Sequence, residues 1–316
     1  MPKIAFIYPG QGVQYVGMGQ EIFNQYKEAR EVFKIANDVV GYDIERMCFE
    51  GSEEDLKKTE HTQPAILTTC IAITKVLLQK KIYPAVAAGL SLGEYAALVV
   101  AEAIEFQDAV SLVKKRGKFM QETVPLGLGA MAAILGMERE ALEETLVLAK
   151  KVGVVEAANF NCPGQIVISG EKKAVERACE IAKEKGALKA VLLPVSAPFH
   201  SSMLKPAGAK LGSELEKIDI SPLKIPVIAN ANADYYKNNM EVKGLLVEQV
   251  SKAVLWEDSV IKMFEFGIDT FIEIGPGKSL SQFVKKIAKN QNKNVMIYNV
   301  EDVNTLNILT QALSAI

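Results

Sequence analysis

Ala85-Val86-Ala87-Ala88-Gly89-Leu90-Ser91-Leu92-Gly93-Glu94-Tyr95 reads as the end of a short buried strand, a glycine-flanked bend, and the start of a helix that continues through Ala103. A serine between two glycines on so tight a turn projects its hydroxyl outward, and the following helix N-terminus aims backbone N–H groups at an oxyanion formed there. GxSxG also arises by chance in long chains. The strand before it and the helix after it are what make Ser91 a candidate nucleophile.

The same alternation extends outward. Ile4 to Tyr8 is an apolar β-type run, followed by helical patterns to Lys80, the run Ala85 to Ala88, and helical patterns to Thr123, which is an α/β rhythm. Thr62-Gln63-Pro64 reads as a helix start, Thr62 capping and Pro64 in the first turn. After Pro125 the order becomes strand Ala130 to Leu135, helix Glu138 to Lys150, strands Val154 to Ala158 and Gln165 to Ser169, helix Lys172 to Lys185, and strand Ala190 to Leu193. This β-α-β-β-α-β order predicts a ferredoxin-like unit inserted at residues 126–197, hinged at Pro125-Leu126-Gly127 and at Pro194 to Pro198. Residues 1–125 and 198–316 then form the large domain, with further strands near Pro226 to Ala229, Thr270 to Ile274 and Val295 to Tyr298.

Composition narrows the function classes. The 316 residues are 49% hydrophobic and 23% charged, with 36 Lys and Arg against 38 Asp and Glu, so no global field draws the chain to nucleic acid or to a membrane surface. Cys48, Cys70, Cys162 and Cys179 form no CxxC pair and have two histidines for company, so neither a metal site nor a disulfide framework is expected. Ile4 to Tyr8 is too short for a signal-peptide core, and Val86 to Ile104 is interrupted by Glu94 and Glu102, so no membrane span is expected and the cytoplasm is the natural compartment.

A serine hydroxyl needs a base, and histidine is the usual one. His61 lies in a mixed polar stretch beside Thr62, where a structural role is more economical. His200 lies where the small unit hands the chain back, and active-site clefts form at such junctions. No carboxylate takes the usual third place: Asp108 is the sole aspartate between Ser91 and His200, and nothing in its strand recommends Glu156. That argues against an ordinary α/β-hydrolase, whose order is Ser, Asp or Glu, then His. Arg116 is one of few arginines among many lysines, and a planar fork suits a carboxylate. Taken alone, Lys114 to Lys118 reads as a solvated basic face.

Several motifs agree in order: Phe6-Ile7-Tyr8-Pro9-Gly10-Gln11-Gly12, Thr62-Gln63-Pro64-Ala65, Gly89 to Glu94, Arg116, Asn159-Phe160-Asn161, Ala197-Pro198-Phe199-His200 and Glu273 to Lys278. With them the chain resembles, over essentially its full length, the malonyl-CoA:acyl-carrier-protein transacylases of type II fatty-acid synthesis. The resemblance implies an α/β-hydrolase-like large domain with a mainly parallel sheet. It implies that Ser91 is acylated, that His200 is the base, and that the main-chain carbonyl of Gln249 orients the imidazole in place of an aspartate. It assigns the oxyanion hole to the backbone N–H groups of Gln11 and Leu92, the malonyl carboxylate to Arg116, and the pocket lining to Gln63, Asn159, Asn161 and Phe199. Malonyl-CoA and acyl carrier protein are the implied partners, with no cofactor and a monomeric chain. Leu90 departs from the family's usual histidine before the nucleophile, which bears on the pocket floor.

Other readings remain at this point. Gly10-Gln11-Gly12 fails the dinucleotide fingerprint at Tyr15, and Gly277-Lys278-Ser279 fails the phosphate loop at Ile272. An acyltransferase serving a polyketide synthase, a thioester or ester hydrolase, and a noncatalytic carrier-binding scaffold stay as alternatives.

Overall fold

The computed structural model of the chain describes residues 2–195 and 197–315. The predicted hinge Pro194 to Pro198 therefore includes Ser196, which lies outside the described residues. In chain order the strands are β1 (Ile4–Tyr8), β2 (Val86–Gly89), β3 (Gly129–Leu135), β4 (Val155–Cys162), β5 (Gln165–Glu171), β6 (Lys189–Leu192), β7 (Val227–Ile228), β8 (Thr270–Ile274) and β9 (Met296–Val300). Five of them form a parallel sheet in the order β7-β2-β1-β8-β9. The others form an antiparallel sheet in the order β4-β5-β3-β6.

All five residues of β1 are buried. Ile4, Phe6 and Tyr8 join the core that also holds the apolar faces of helices Lys27–Val40, Thr59–Gln79 and Phe106–Glu122, while Ala5 and Ile7 join the core under helices Trp256–Glu265 and Ser279–Asn290. A parallel strand covered on both faces has no side to leave polar, which is why this stretch reads as an unbroken apolar run.

Helix Thr59–Gln79 begins earlier than the sequence suggested, with Lys58 in the N-cap position and Pro64 inside the helix. Thr62 does not cap: its hydroxyl donates back to the carbonyls of Leu56 at 2.6 Å and Lys58 at 3.0 Å. Such back-bonding satisfies a threonine within a helix. His61 is used locally, with Nδ1 3.0 Å from the Asp55 carbonyl and its ring against Tyr42.

In the antiparallel sheet the strands, counted within the unit, lie second-third-first-fourth, the ferredoxin-like order. Helices Arg139–Ala149 and Lys172–Glu184 cover one face around Ile134, Ile168 and Ala178. The other face places Met131, Ala158 and Val167 together with Phe199. β4 runs on to Cys162 rather than ending at Ala158, through register shifts at Ala157/Asn159 and Phe160/Cys162. A bulge breaks the alternation of faces, which hides the strand's second half in the sequence. Two main-chain bonds tie this strand to the rest of the chain, Phe160 N–H to the Val254 carbonyl at 2.9 Å and Val254 N–H to the Ala158 carbonyl at 2.8 Å. Arg139 adds ion pairs to Glu257 and Asp258 at 3.0 and 2.9 Å.

Candidate active site

The bend after β2 is as tight as its glycines permit. A Cβ on Gly89 would sit 1.9 Å from the carbonyl carbon of Gly93, and one on Gly93 would sit 2.1 Å from the Tyr8 carbonyl oxygen. Ser91, at the apex, has φ 53°, in the left-handed region that side-chain-bearing residues avoid. Asn230, which follows β7, holds both sides of the apex: its Oδ1 accepts from Ser91 N–H at 2.6 Å and its Nδ2 donates to the Gly89 carbonyl at 2.7 Å.

His200 also has positive φ, 59°. Its Nδ1 lies 2.8 Å from the Gln249 carbonyl and its Nε2 lies 2.7 Å from Ser91 Oγ. A carbonyl only accepts, so Nδ1 carries the proton and Nε2 is left to accept from the serine hydroxyl. Burial, together with the nearby Arg116 charge, lowers the imidazole from 6.5 to about 4, so it is neutral and able to take a proton at pH 7. The turn that follows is pinned by Glu156, whose carboxylate accepts from Ser202 N–H at 2.6 Å.

Arg116 is not on a solvated face. It is 1% exposed, although Lys114, Lys115 and Lys118 on the same helix reach outward to other partners. Its Nη1 donates to Gln63 Oε1 at 2.9 Å, and its Nη2 donates to Gln249 Oε1 at 2.9 Å and to Ser91 Oγ at 3.0 Å. Among the described residues its Nε makes no well-aligned hydrogen bond, and the guanidinium lies 5.6 Å from the centre of the Tyr95 ring. A buried guanidinium whose Nη2 reaches Ser91 Oγ is equipped to receive an anionic group there.

These residues border a cavity of about 600 Å³ lined by the loop after β1, the Ser91 bend, and residues of the antiparallel sheet. Gln11, Gln63, Ser91, Leu92, Arg116, Asn159, Asn161, Phe199 and His200 all line it. Gln249 is fully buried behind them. Among the described residues the main-chain N–H groups of Gln11 and Leu92 have no partner within the chain, the condition an oxyanion hole requires. The second half of β4 carries Asn159 and Asn161 to the cavity wall. Leu90 also lines the wall and packs against the core beneath helix Ser279–Asn290, outside the Ser91–His200–Arg116 contacts. Among the described residues no group of three or more His, Cys, Asp or Glu is placed to hold a metal, and no helix is long and apolar enough to cross a membrane.

Sequence reasoning passed over Asn230, Tyr236 and the role of Glu94. Asn230 follows a strand of the parallel sheet at its C-terminal end, where open α/β sheets gather their site residues, and that position was the available signal. Glu94 stood out as a charge in an apolar stretch and as the last residue of the motif Gly89 to Glu94, with no role of its own.

The family model described as "Acyl transferase domain" matches residues 5–311. The malonyl CoA-acyl carrier protein transacylase of Bacillus subtilis is 47% identical over 314 residues, covering 99% of this chain and 98% of that protein. The crystal structure of the Clostridium perfringens malonyl CoA-acyl carrier protein transacylase superposes with a TM-score of 0.95 at 50% identity, over 99% of this chain and 98% of that one. A malonyl-transacylase solved with a type II PKS acyl-carrier protein gives 0.93 at 39% identity, over 96% and 97%. With a family match over nearly its whole length and relatives this similar, the chain belongs to the acyl transferase domain family and, within it, to the malonyl CoA-acyl carrier protein transacylases.

Proposed function

We propose that the chain transfers the malonyl group of malonyl-CoA to the phosphopantetheine thiol of acyl carrier protein through a malonyl ester on Ser91, supplying fatty-acid elongation. The observation that carries this reading is the Arg116 guanidinium 3.0 Å from Ser91 Oγ. A permanent buried cation beside the nucleophile favours an acyl group that brings its own negative charge.

In the first half-reaction Nε2 of His200 takes the Ser91 proton as Oγ attacks the thioester carbonyl. The N–H groups of Gln11 and Leu92 receive the oxyanion, and the Gln249 carbonyl steadies the imidazolium. Collapse breaks the C–S bond, the proton passes from His200 to the departing sulfur, and free coenzyme A leaves malonyl-serine. Arg116, released from Ser91 Oγ, turns to the malonyl carboxylate. The carrier thiol then attacks the ester by the reverse path, restoring Ser91. Gln63 holds Arg116 from behind, while Asn159, Asn161 and Phe199 form the wall along which the acyl arm lies. Each step uses side chains, main-chain amides and the two substrates, so no cofactor is required. Every named group comes from one chain, so a monomer is sufficient. We place the activity in the cytoplasm, and assign the large domain to residues 1–125 and 198–316 with residues 126–197 as its insertion.

Intact mass after mixing with malonyl-CoA tests the proposal: one malonyl adduct is expected, absent in Ser91→Ala and cleared by carrier protein bearing its thiol. An adduct that persists in Ser91→Ala would end it. The solved relative bound to a polyketide-type carrier favours a second reading in which the acceptor is such a carrier. Transfer rates to the two carriers, measured side by side, separate the two readings.

A further inference from the structure

Three donors converge on the carboxylate of Glu94, which has no exposed surface and lies in the first turn of the helix Gly93–Val100 behind Ser91. The Tyr236 hydroxyl donates to Oε1. Asn230 N–H, at 3.1 Å, and Gln249 Nε2, at 2.6 Å, donate to Oε2. None of the three belongs to the helix that carries Glu94, so its N-terminus does not account for the arrangement.

The contact with Gln249 fixes a direction. An amide nitrogen has two protons, and those of Gln249 go to Glu94 and to the Ser91 carbonyl at 2.9 Å. The amide oxygen is thereby turned to Arg116 Nη2 at 2.9 Å. If the amide were flipped, its oxygen would face a carboxylate and a carbonyl, and its NH₂ would face a guanidinium. Both ends would then repel.

We infer that Glu94 is a positioning residue for substrate choice: it locks the side-chain amide of Gln249 in the one orientation that holds the Arg116 guanidinium against Ser91. The inference rests on the reading of Arg116 as the carboxylate clamp. Glu94 touches no substrate and acts through Gln249. Gln63 grips the other arm of the guanidinium, so the loss of Glu94 frees one arm of two.

The test compares Ser91 acylation by malonyl-CoA and by acetyl-CoA in full-length protein, as kcat/KM for each. Glu94→Gln can still present an oxygen to Asn230 and Gln249 and an NH₂ to Tyr236, so the malonyl-to-acetyl ratio should stay within about threefold of the parent. Glu94→Ala should lower the ratio at least about tenfold, chiefly through the malonyl KM. Should Glu94→Ala not fold, Glu94→Asp replaces it, keeping the charge but withdrawing the carboxylate from Gln249, with the same expected direction. Arg116→Ala is the reference. If it collapses the ratio while folded Glu94→Ala or Glu94→Asp preserves it, the positioning role is overturned and the clamp survives. If Arg116→Ala itself leaves the ratio unchanged, the clamp fails, and the inference fails with it.

Discussion

The side-chain amide of Asn230 closes the bend on which Ser91 stands, accepting from Ser91 N–H at 2.6 Å and donating to the Gly89 carbonyl at 2.7 Å. Both contacts are buried or nearly so, and Asn230 itself is 0% exposed. Asn230→Ala leaves two main-chain groups without partners, at about 1 to 3 kcal/mol each. We expect a lower melting temperature and, because the apex loses its brace, acylation slowed by roughly one to two orders of magnitude. A rapid-quench measurement of malonyl-enzyme formation checks it, and an undiminished rate in folded protein contradicts the brace.

Two buried groups around Ser91 titrate in opposite senses. His200, lowered from 6.5 to about 4 by burial and by Arg116, contributes stability that is present above pH 6.5 and is lost as pH falls towards 4. Glu94, raised from 4.5 to about 7 by burial against the pull of its three donors and of Arg116, contributes stability that is present below pH 4.5 and is lost as pH rises through 7. Across that shared window the slopes offset one another. Glu94→Gln removes one of them, so relative to the parent its stability should fall by up to about 3 kcal/mol between pH 6.5 and 4. Urea unfolding at stepped pH reads the difference, and parallel curves for the two proteins would contradict it.

Arg116→Lys keeps the charge but not the fork. One ammonium cannot reach Gln63, Gln249 and a substrate carboxylate in the geometry that the guanidinium now serves. Malonyl transfer should drop at least about tenfold with acetyl transfer much less affected. Equal losses for both thioesters would remove the planar fork from selection.

Ile4–Tyr8 was legible in the sequence because a parallel strand covered on both faces has a distinctive apolar run. Thr270–Ile274 was legible despite Glu273 because Phe271, Ile272 and Ile274 are β-formers set just before a Gly-Pro-Gly turn. The pairing of Ser91 with His200 was legible because histidine is scarce here and because the glycine-flanked serine had a strand before it and a helix after it. Three features were not. The second half of β4 is masked by its bulges. Gln249 orients His200 with a main-chain carbonyl, which every residue possesses, so its position came from family resemblance alone. Asn230 and Tyr236 reach the bend from 139 and 142 residues along the chain from their partners Ser91 and Glu94, with no motif to mark them.

The φ of 53° at Ser91 sets the proposed nucleophile against its own fold. A bend of this hand rests most easily on a residue with no side chain, and Ser91→Gly should relieve backbone strain of about 1 kcal/mol, part of it offset by glycine's greater freedom when unfolded. Ser91→Ala keeps that strain, so of the two variants, both expected to be inactive, the glycine form should melt at the higher temperature. Under the proposed function, chemistry rather than durability decides which residue occupies the apex.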